Sequence, residues 1–255
     1  MPVTVSELAV APVKGMRLQC TSEVELGRHG VTGDRDFLVV GADGKLLLTG
    51  RTPELLQIEP AWDRAQNVLT LSFPDGDVVQ DTIELGALAA TRMYDGREIL
   101  GWIIPGPLPT ALSGYLGRPV HLFKRAPEHL GNDDEPVTLM SQASLQALAS
   151  ELNGTAPDSR RFRMTITITG TDAWAEHAWR GQKVSIGDVI LRVIAPVPRC
   201  VVTTRNPDSG ATDARVLHAL ARLRGKDDMT LGVWCEILRP GCVRVGDLVI
   251  PPPYS

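Results

Sequence analysis

One thiol stands in a setting suited to reactivity. The stretch Pro198-Arg199-Cys200-Val201-Val202-Thr203-Thr204-Arg205-Asn206-Pro207-Asp208-Ser209-Gly210 places an arginine directly before a cysteine and a tight turn shortly after it. A cationic neighbour stabilises thiolate over thiol, and thiolate is the form that attacks electrophiles or binds metals. The Asn-Pro-Asp-Ser-Gly turn fixes the backbone behind it. The competing reading is a structural thiol in the core, where free cysteine is often found. Basic residues form the second pattern. Lys14 lies in Ala11-Pro12-Val13-Lys14-Gly15, Arg35 in Gly33-Asp34-Arg35-Asp36-Phe37, and Arg51 in Leu48-Thr49-Gly50-Arg51-Thr52-Pro53. Arg160, Arg161 and Arg163 cluster in Ser159-Arg160-Arg161-Phe162-Arg163-Met164-Thr165. An arginine fork binds phosphate oxygens in pairs and a lysine adds a point charge. Each of these residues, taken alone, is also what a solvated strand end looks like.

Other candidates read more plainly. His177 is the best acid–base candidate, but it is first a helix or loop surface residue. Asp34 and Asp208 read as turn-formers, and Trp174 and Trp179 as packing residues. Cys235 alternates with Val233 and Ile237 and reads as core, whereas Cys20 and Cys242 adjoin turns. The run Asn132-Asp133-Asp134-Glu135 reads as a solvated loop, placed over a pocket mouth. No paired Cys or His spacing is present, so a zinc site is not expected.

The elements that must position these residues follow from periodicity. Strands are predicted at Val3 to Val10, Glu23 to Leu26, Asp36 to Val40, Leu46 to Thr49 and Val68 to Ser72, with hairpin turns at Ala42-Asp43-Gly44 and Pro74-Asp75-Gly76. A short helix is expected at Thr110 to Leu116, in front of Gly117. Arg125 to Glu135 reads as a linker or loop. Leu145, Leu148 and Leu152 share one helical face, with Ser141 able to cap it. Further strands are predicted at Thr165 to Thr169, Val189 to Ala195, Cys200 to Thr204, Gly232 to Leu238 and Val243 to Ile250. A helix from about Asp213 to Arg224 interrupts them, with Val216, Leu217, Leu220 and Leu223 inward. The fold class is therefore mainly β with peripheral helices (α+β). The expected division is a β-barrel-like domain over 1–120 and a second β-barrel domain over 121–255.

Composition narrows the functions. The 255 residues are 43% hydrophobic and 22% charged, with a formal net charge of −4. This is an ordinary globular balance, and it argues against a general nucleic-acid binder. Met1-Pro2-Val3-Thr4-Val5-Ser6-Glu7 lacks the features of a signal peptide. No apolar run approaches the roughly 20 residues that span a membrane. A cytoplasmic location with reduced thiols is the expectation.

The ordered set of motifs resembles the MOSC family in its two-part form with an N-terminal β-barrel domain. That group includes amidoxime-reducing and N-hydroxylated-base-reducing proteins. The resemblance is carried by Pro12-Val13-Lys14, Asp34-Arg35, Thr49-Gly50-Arg51-Thr52-Pro53, Ser141-Gln142-Ala143-Ser144-Leu145, Arg161-Phe162-Arg163 and Trp174-Ala175-Glu176-His177-Ala178-Trp179. It continues through Ile186-Gly187-Asp188, Arg199-Cys200, Thr203-Thr204, Asn206-Pro207-Asp208-Ser209-Gly210 and Val245-Gly246-Asp247. It implies a molybdenum cofactor (molybdopterin) held between the two domains. The pterin phosphate would be gripped at Lys14 and Arg51, and the pterin lined by Arg163 and the Ser141 to Ser144 turn, with Arg199 and Thr203 alongside. Cys200 would be the catalytic residue and the thiolate ligand of the metal. A soft thiolate suits a metal already carrying dithiolene sulfur.

The chain also departs from its relatives. Gly15 stands where a serine is common, and Met164-Thr165 replaces the usual Pro-Asn. His177 replaces a common acid, and Val197 a second cysteine found in some relatives. No ferredoxin-like cysteine cluster occurs in these residues, so the implied electron donor is a separate protein of ferredoxin or flavoprotein type. The implied reaction is reduction of an N-hydroxylated or N-oxide small molecule, without nucleic acid or membrane as partner. Two rivals stand beside it: a cysteine-persulfide sulfur-transfer protein, and a non-catalytic module binding a phosphorylated ligand.

Overall fold

The strand-turn rhythm becomes sheets whose alternating residues face a core. The structure, a computed structural model, describes residues 2–131 and 134–253. Val68–Ser72 shows the principle: Leu69 and Leu71 are fully buried, while Val68, Thr70 and Ser72 are not. This strand is the centre of a three-stranded antiparallel sheet with Glu59–Asp63 and Val78–Thr82, and Pro74-Asp75-Gly76 supplies one turn. A four-stranded antiparallel sheet runs in the order Phe37–Gly41, Val120–Arg125, Glu98–Ile104, Leu88–Arg92. The two sheets share one core, which includes Val13, Phe37, Leu55, Ile58 and Leu122. The helix Pro107–Leu116 lays Leu108 and Leu112, four residues apart, onto that core. Gly117, in the left-handed conformation, ends it.

A second unit is an eight-stranded sheet. Its order is Val249–Ile250, Lys183–Ile186, Val189–Pro198, Thr230–Arg239, Val137–Ser141, Ile166–Thr169, Thr4–Val10, Gln19–Thr21. Among the described residues of this sheet only Val137–Ser141 and Ile166–Thr169 pair in parallel. The first strand of the chain therefore adds to the sheet of its C-terminal half. Glu23–Gly27 likewise pairs with Gly241–Arg244. Val5, Leu8, Val24, Leu26 and Val31 bury in the same cluster as Val137, Ile166, Val189 and Val233. The segment after Val10 thus passes from one unit to the other, which brings Lys14 to the seam between them.

Two helices differ in extent from expectation. Ser141 does cap a helix, its Oγ accepting from the Ala143 N–H at 3.1 Å. That helix is Gln142–Ala147, tightening into a 3-10 turn over Leu148–Glu151. The later helix starts at Val216, because the Asp213 and Ala214 N–H groups bond the Thr204 carbonyl instead. Within it Val216 and Leu220 are buried and Leu223 is exposed.

Three predicted strands are corrected. Cys200 to Thr204 is a 3-10 turn over Val201–Thr204. Thr203 Oγ1 donates to the Cys200 carbonyl at 3.0 Å and Thr204 Oγ1 to the Val201 carbonyl at 2.6 Å. These local bonds override the β preference of the branched side chains. Leu46 to Thr49 makes only a bridge, Leu46 to Val40. Val243 to Ile250 is broken by a turn at Gly246 into Gly241–Arg244 and Val249–Ile250. Cys235 is fully buried, and burial pushes its thiol pKa up strongly.

Candidate functional site

The site is built where the strand Val189–Pro198 runs out. Its ladder to Thr230–Arg239 ends at the Pro198–Thr230 pair. The next backbone N–H, that of Arg199, donates to the Met229 carbonyl at 2.9 Å. The Arg199 side chain then braces this corner. Its Nε donates to the Leu231 carbonyl at 2.9 Å and its Nη1 to the Phe162 carbonyl at 3.0 Å. The guanidinium also lies 5.4 Å from the centre of the Phe162 ring. Arg199 thus ties three segments together beside the cysteine. Cys200 is exposed, while Thr203, 2% exposed, anchors the Cys200 carbonyl from below.

Four other segments meet this corner. Arg205 Nη2 donates to the Gly50 carbonyl at 3.2 Å, and Val201 packs against Gly50 so closely that a Cβ there would sit 3.2 Å from its Cγ1. Gly210 lies against Pro53: an added Cβ would be 2.6 Å from the Pro53 oxygen, at φ +72°, so only glycine fits. The Arg51 loop is therefore seated on the Cys200 loop. Gly15, at φ +90°, abuts the Arg51 loop from the other side, and a Cβ there would be 2.8 Å from Thr49 Oγ1. The departure from serine at position 15 is thus matched by a threonine hydroxyl in the space a serine side chain would need. Arg163, left-handed at φ 55°, donates from Nη2 to the Met16 carbonyl at 2.8 Å. Arg35 Nη2 donates to the Arg163 carbonyl at 3.2 Å, and Arg35 is ion-paired with buried Asp34. Asp34 in turn accepts the Ala11 N–H at 2.7 Å.

The segments carrying Lys14, Arg51, Arg163 and Cys200 consequently share one seam between the sheets. Lys14 Nζ donates to the Gly131 carbonyl at 3.0 Å. Arg51 is exposed and makes no ion pair among the described residues. The neighbouring Arg160 and Arg161 are committed to acids. Arg160 holds Asp158 and Asp208, and Arg161 grips Asp213 through two bonds of 2.7 and 3.0 Å. Asp208 is also the turn-former the sequence suggests, its N–H bonded to Asn206 Oδ1 at 2.9 Å. The hydrogen bonds from Arg160 hold the Asp208 carboxyl below its usual pKa. In the run proposed to cover a pocket, Asn132 and Asp133 lie outside the described residues.

Ser141 and Ser144 serve a buried carboxylate that sequence reasoning missed. Glu176 is 0% exposed. Its Oε1 accepts the Ser141 N–H at 3.2 Å and its Oε2 accepts the Ser144 hydroxyl at 2.9 Å. Ser141 Oγ is 2.7 Å from Thr171 Oγ1, and Ser144 Oγ accepts the Trp174 N–H at 2.7 Å. Burial raises the Glu176 pKa, and the serine bonds oppose that shift. Only its place between Trp174 and Trp179 could have hinted at this role.

His177 is half-buried rather than a surface residue. Its Nδ1 is 3.2 Å from Arg224 Nη2, and that guanidinium lies over the Trp174 ring at 4.6 Å. Its Nε2 is buried without a partner among the described residues. Burial first, then the Arg224 charge, lowers its pKa to about 4, with nearby Asp228 opposing. The folded state therefore binds fewer protons than the unfolded chain between about pH 4 and 6.5, and stability falls as pH drops through that window. His177→Leu should remove this sensitivity, about 1–2 kcal/mol after discounting for partial exposure. Urea unfolding of both proteins at pH 7 and pH 4.5 checks it: wild type should lose more stability between the two pH values than His177→Leu does.

Among the described residues no group of three or more His, Cys, Asp or Glu side chains could hold an ion. A metal bound at Cys200 must bring its other ligands with it. A cavity of about 550 Å³ lies elsewhere, lined by residues that include Glu151, Arg161, Asp213, Arg215 and His218, and by none of Lys14, Arg51, Arg163 or Cys200. Among the described residues no helix is long and apolar enough to cross a membrane.

Known proteins are similar to this chain. Residues 2–106 match the MOSC N-terminal beta barrel domain and residues 126–250 match the MOSC domain. Human mitochondrial amidoxime-reducing component 1 is 27% identical over 281 residues, spanning 96% of this chain and 82% of its own length. Human molybdenum cofactor sulfurase is 24% identical over 298 residues, spanning 98% of this chain but 32% of its own length. The crystal structure of the YUAD protein from Bacillus subtilis superposes with a TM-score of 0.50 at 12% identity, covering 98% of this chain and 94% of that one, a likeness of fold alone. With matches over both halves and in this order, the chain belongs to the MOSC family, in the form that carries the N-terminal β-barrel domain.

Proposed function

We propose that this protein binds a molybdenum cofactor in the seam and reduces N-hydroxylated or N-oxide small molecules, taking electrons from a separate donor protein. The observation that carries the reading is the exposed thiol of Cys200 beside the meeting point of the segments that bear Lys14, Arg51 and Arg163. The donor set fits such a group. A single soft thiolate suits a metal whose remaining ligands come with it, and three cationic side chains suit a phosphorylated pterin. Bound there, such a cofactor would supply two-electron redox chemistry suited to reduction of an N–O bond.

The chain's own residues do the rest. Cys200 offers a ligand from a backbone corner held by Thr203 and braced by Arg199. Lys14, Arg51 and Arg163 bind and orient the anionic end. Ser141 and Ser144 act behind the site by holding Glu176 rather than from its surface. Conversion of an N–OH to an N–H group releases water and needs two protons, which reach the exposed Cys200 region from solvent. The relatedness to amidoxime-reducing components supports the substrate class. Turnover of an aryl amidoxime with a chemical reductant in place of the donor protein is the test. Amidine formed in proportion to molybdenum content is the expected result, and none from molybdenum-loaded protein overturns it.

The exposure of Cys200 and the similarity to a sulfurase favour one second reading, a persulfide carried on Cys200. It predicts a mass gain of one sulfur on that residue, removed by a thiol reductant.

A further inference from the structure

Arg51 shares a cleft with a second arginine, and none of Lys14, Arg163 or Cys200 lines that cleft. The cleft, of about 200 Å³, is lined by Arg51, Thr52, Glu54, Leu116, Gly117 and Arg118. The two arginines are 67 positions apart in the chain, and neither has an ion-pair partner among the described residues. Arg118 is nevertheless held in place. Its Nη2 donates to Thr52 Oγ1 at 2.7 Å, and Thr52 is only 3% exposed. Two guanidinium groups on one small cleft repel each other unless an anion shares it. Glu54, the only acid among the described residues that line the cleft, is ion-paired to neither. Arg118 also follows the C-terminus of the helix Pro107–Leu116, where a cation is favourable. That accounts for a charge at 118 but not for its turning toward Thr52, nor for the unpaired Arg51.

We propose that Arg118 and Arg51 form an anion clamp, and that Arg118 is a further cation on the phosphate end of the cofactor. This rests on the cofactor reading given above for the identity of the anion. The clamp itself can be tested without any cofactor.

The probe is inorganic pyrophosphate, titrated by calorimetry into cofactor-free protein. Wild type should bind it, and Arg118→Ala should bind about tenfold more weakly, as expected for loss of a charge-assisted bond. Arg118→Ala should also flatten the salt dependence of binding, because one charge fewer takes part. A purely helix-capping role would lower the melting temperature and leave the salt dependence alone. Arg118→Lys keeps the charge and should stay within about threefold of wild type. Thr52→Val, which removes only the hydroxyl, should retain the wild-type salt dependence. Equal affinity and salt dependence in wild type and Arg118→Ala overturns the clamp, as does wild-type protein that binds no pyrophosphate. The cofactor reading fails separately. Pyrophosphate binding that needs both arginines, in protein that never acquires molybdenum, keeps the clamp and overturns the cofactor. Equal molybdenum loading of wild type and Arg118→Ala, with equal pyrophosphate affinity of the two cofactor-free proteins, does the reverse.

Discussion

Cys200→Ser should lose amidoxime reduction by more than about a hundredfold and lose bound molybdenum, with its melting temperature almost unchanged. Removing a direct ligand should cost at least as much as removing its supporting partners, which typically costs 10–100-fold. A serine alkoxide is harder to form than a thiolate and is a harder, poorer donor to this metal. The fold should be indifferent, because the Cys200 side chain is exposed and its backbone carbonyl, not its sulfur, receives the Thr203 bonds. Cys235 provides the contrast. It is fully buried among the apolar side chains of the eight-stranded sheet. Cys235→Ser should destabilise by about 1–3 kcal/mol, the cost of burying a hydroxyl without a partner, and spare activity per folded molecule. Metal analysis, turnover and thermal melting on the two variants separate the roles. Full activity in Cys200→Ser would remove that residue from the metal.

Glu176→Ala should be the most destabilising single change at the site. It leaves the Ser141 N–H and Ser144 hydroxyl without their acceptor inside the protein. At about 1–3 kcal/mol for each buried unsatisfied group, a loss near 3 kcal/mol is expected. For a chain of this size that lowers the melting temperature by roughly 6–12 °C. Glu176→Gln should cost less, since it keeps the volume and one acceptor oxygen. The pH dependence carries a sign. Burial raises the Glu176 pKa, so the folded state holds its proton more tightly than the unfolded chain. Wild type should therefore gain stability relative to Glu176→Gln as pH falls toward the ordinary carboxylate range. Unfolding in urea at pH 7 and pH 5 measures this, and a shift of the opposite sign would show that the serine bonds outweigh burial.

The sequence disclosed residue types and elements better than neighbours. Val68–Ser72 and the Pro74-Asp75-Gly76 turn were legible because alternation and turn chemistry are local. The placing of Thr4–Val10 beside Ile166–Thr169 was not, since alternation says which face is buried and nothing about which strand lies alongside. Glu59–Asp63, Val78–Thr82, Leu88–Arg92, Glu98–Ile104 and Val120–Arg125 are not legible, because Pro60, Thr91, Gly101 and Arg125 occupy buried positions where an apolar residue would signal a strand, and Val78–Thr82 has no fully buried position. At the site, the motif order pointed to the Cys200 corner and to the basic segments. What each cation does depended on partners far away in the chain. Arg199 reads as an activator of its neighbouring thiol, yet its guanidinium binds the carbonyls of Leu231 and Phe162. Arg160 and Arg161 read as phosphate ligands, yet acids up to 52 positions away engage them. Glu176 was invisible for the same reason: nothing in Trp174-Ala175-Glu176-His177 announces that two serines from another helix turn will enclose the carboxylate.

The most direct measurement of the central claim is elemental analysis with pterin fluorescence on wild-type protein made in a host that synthesises the molybdenum cofactor. Near one molybdenum and one pterin per chain are expected, with Cys200→Ser depleted of the metal under the same conditions. Folded wild-type protein from that host with neither molybdenum nor pterin would contradict the account.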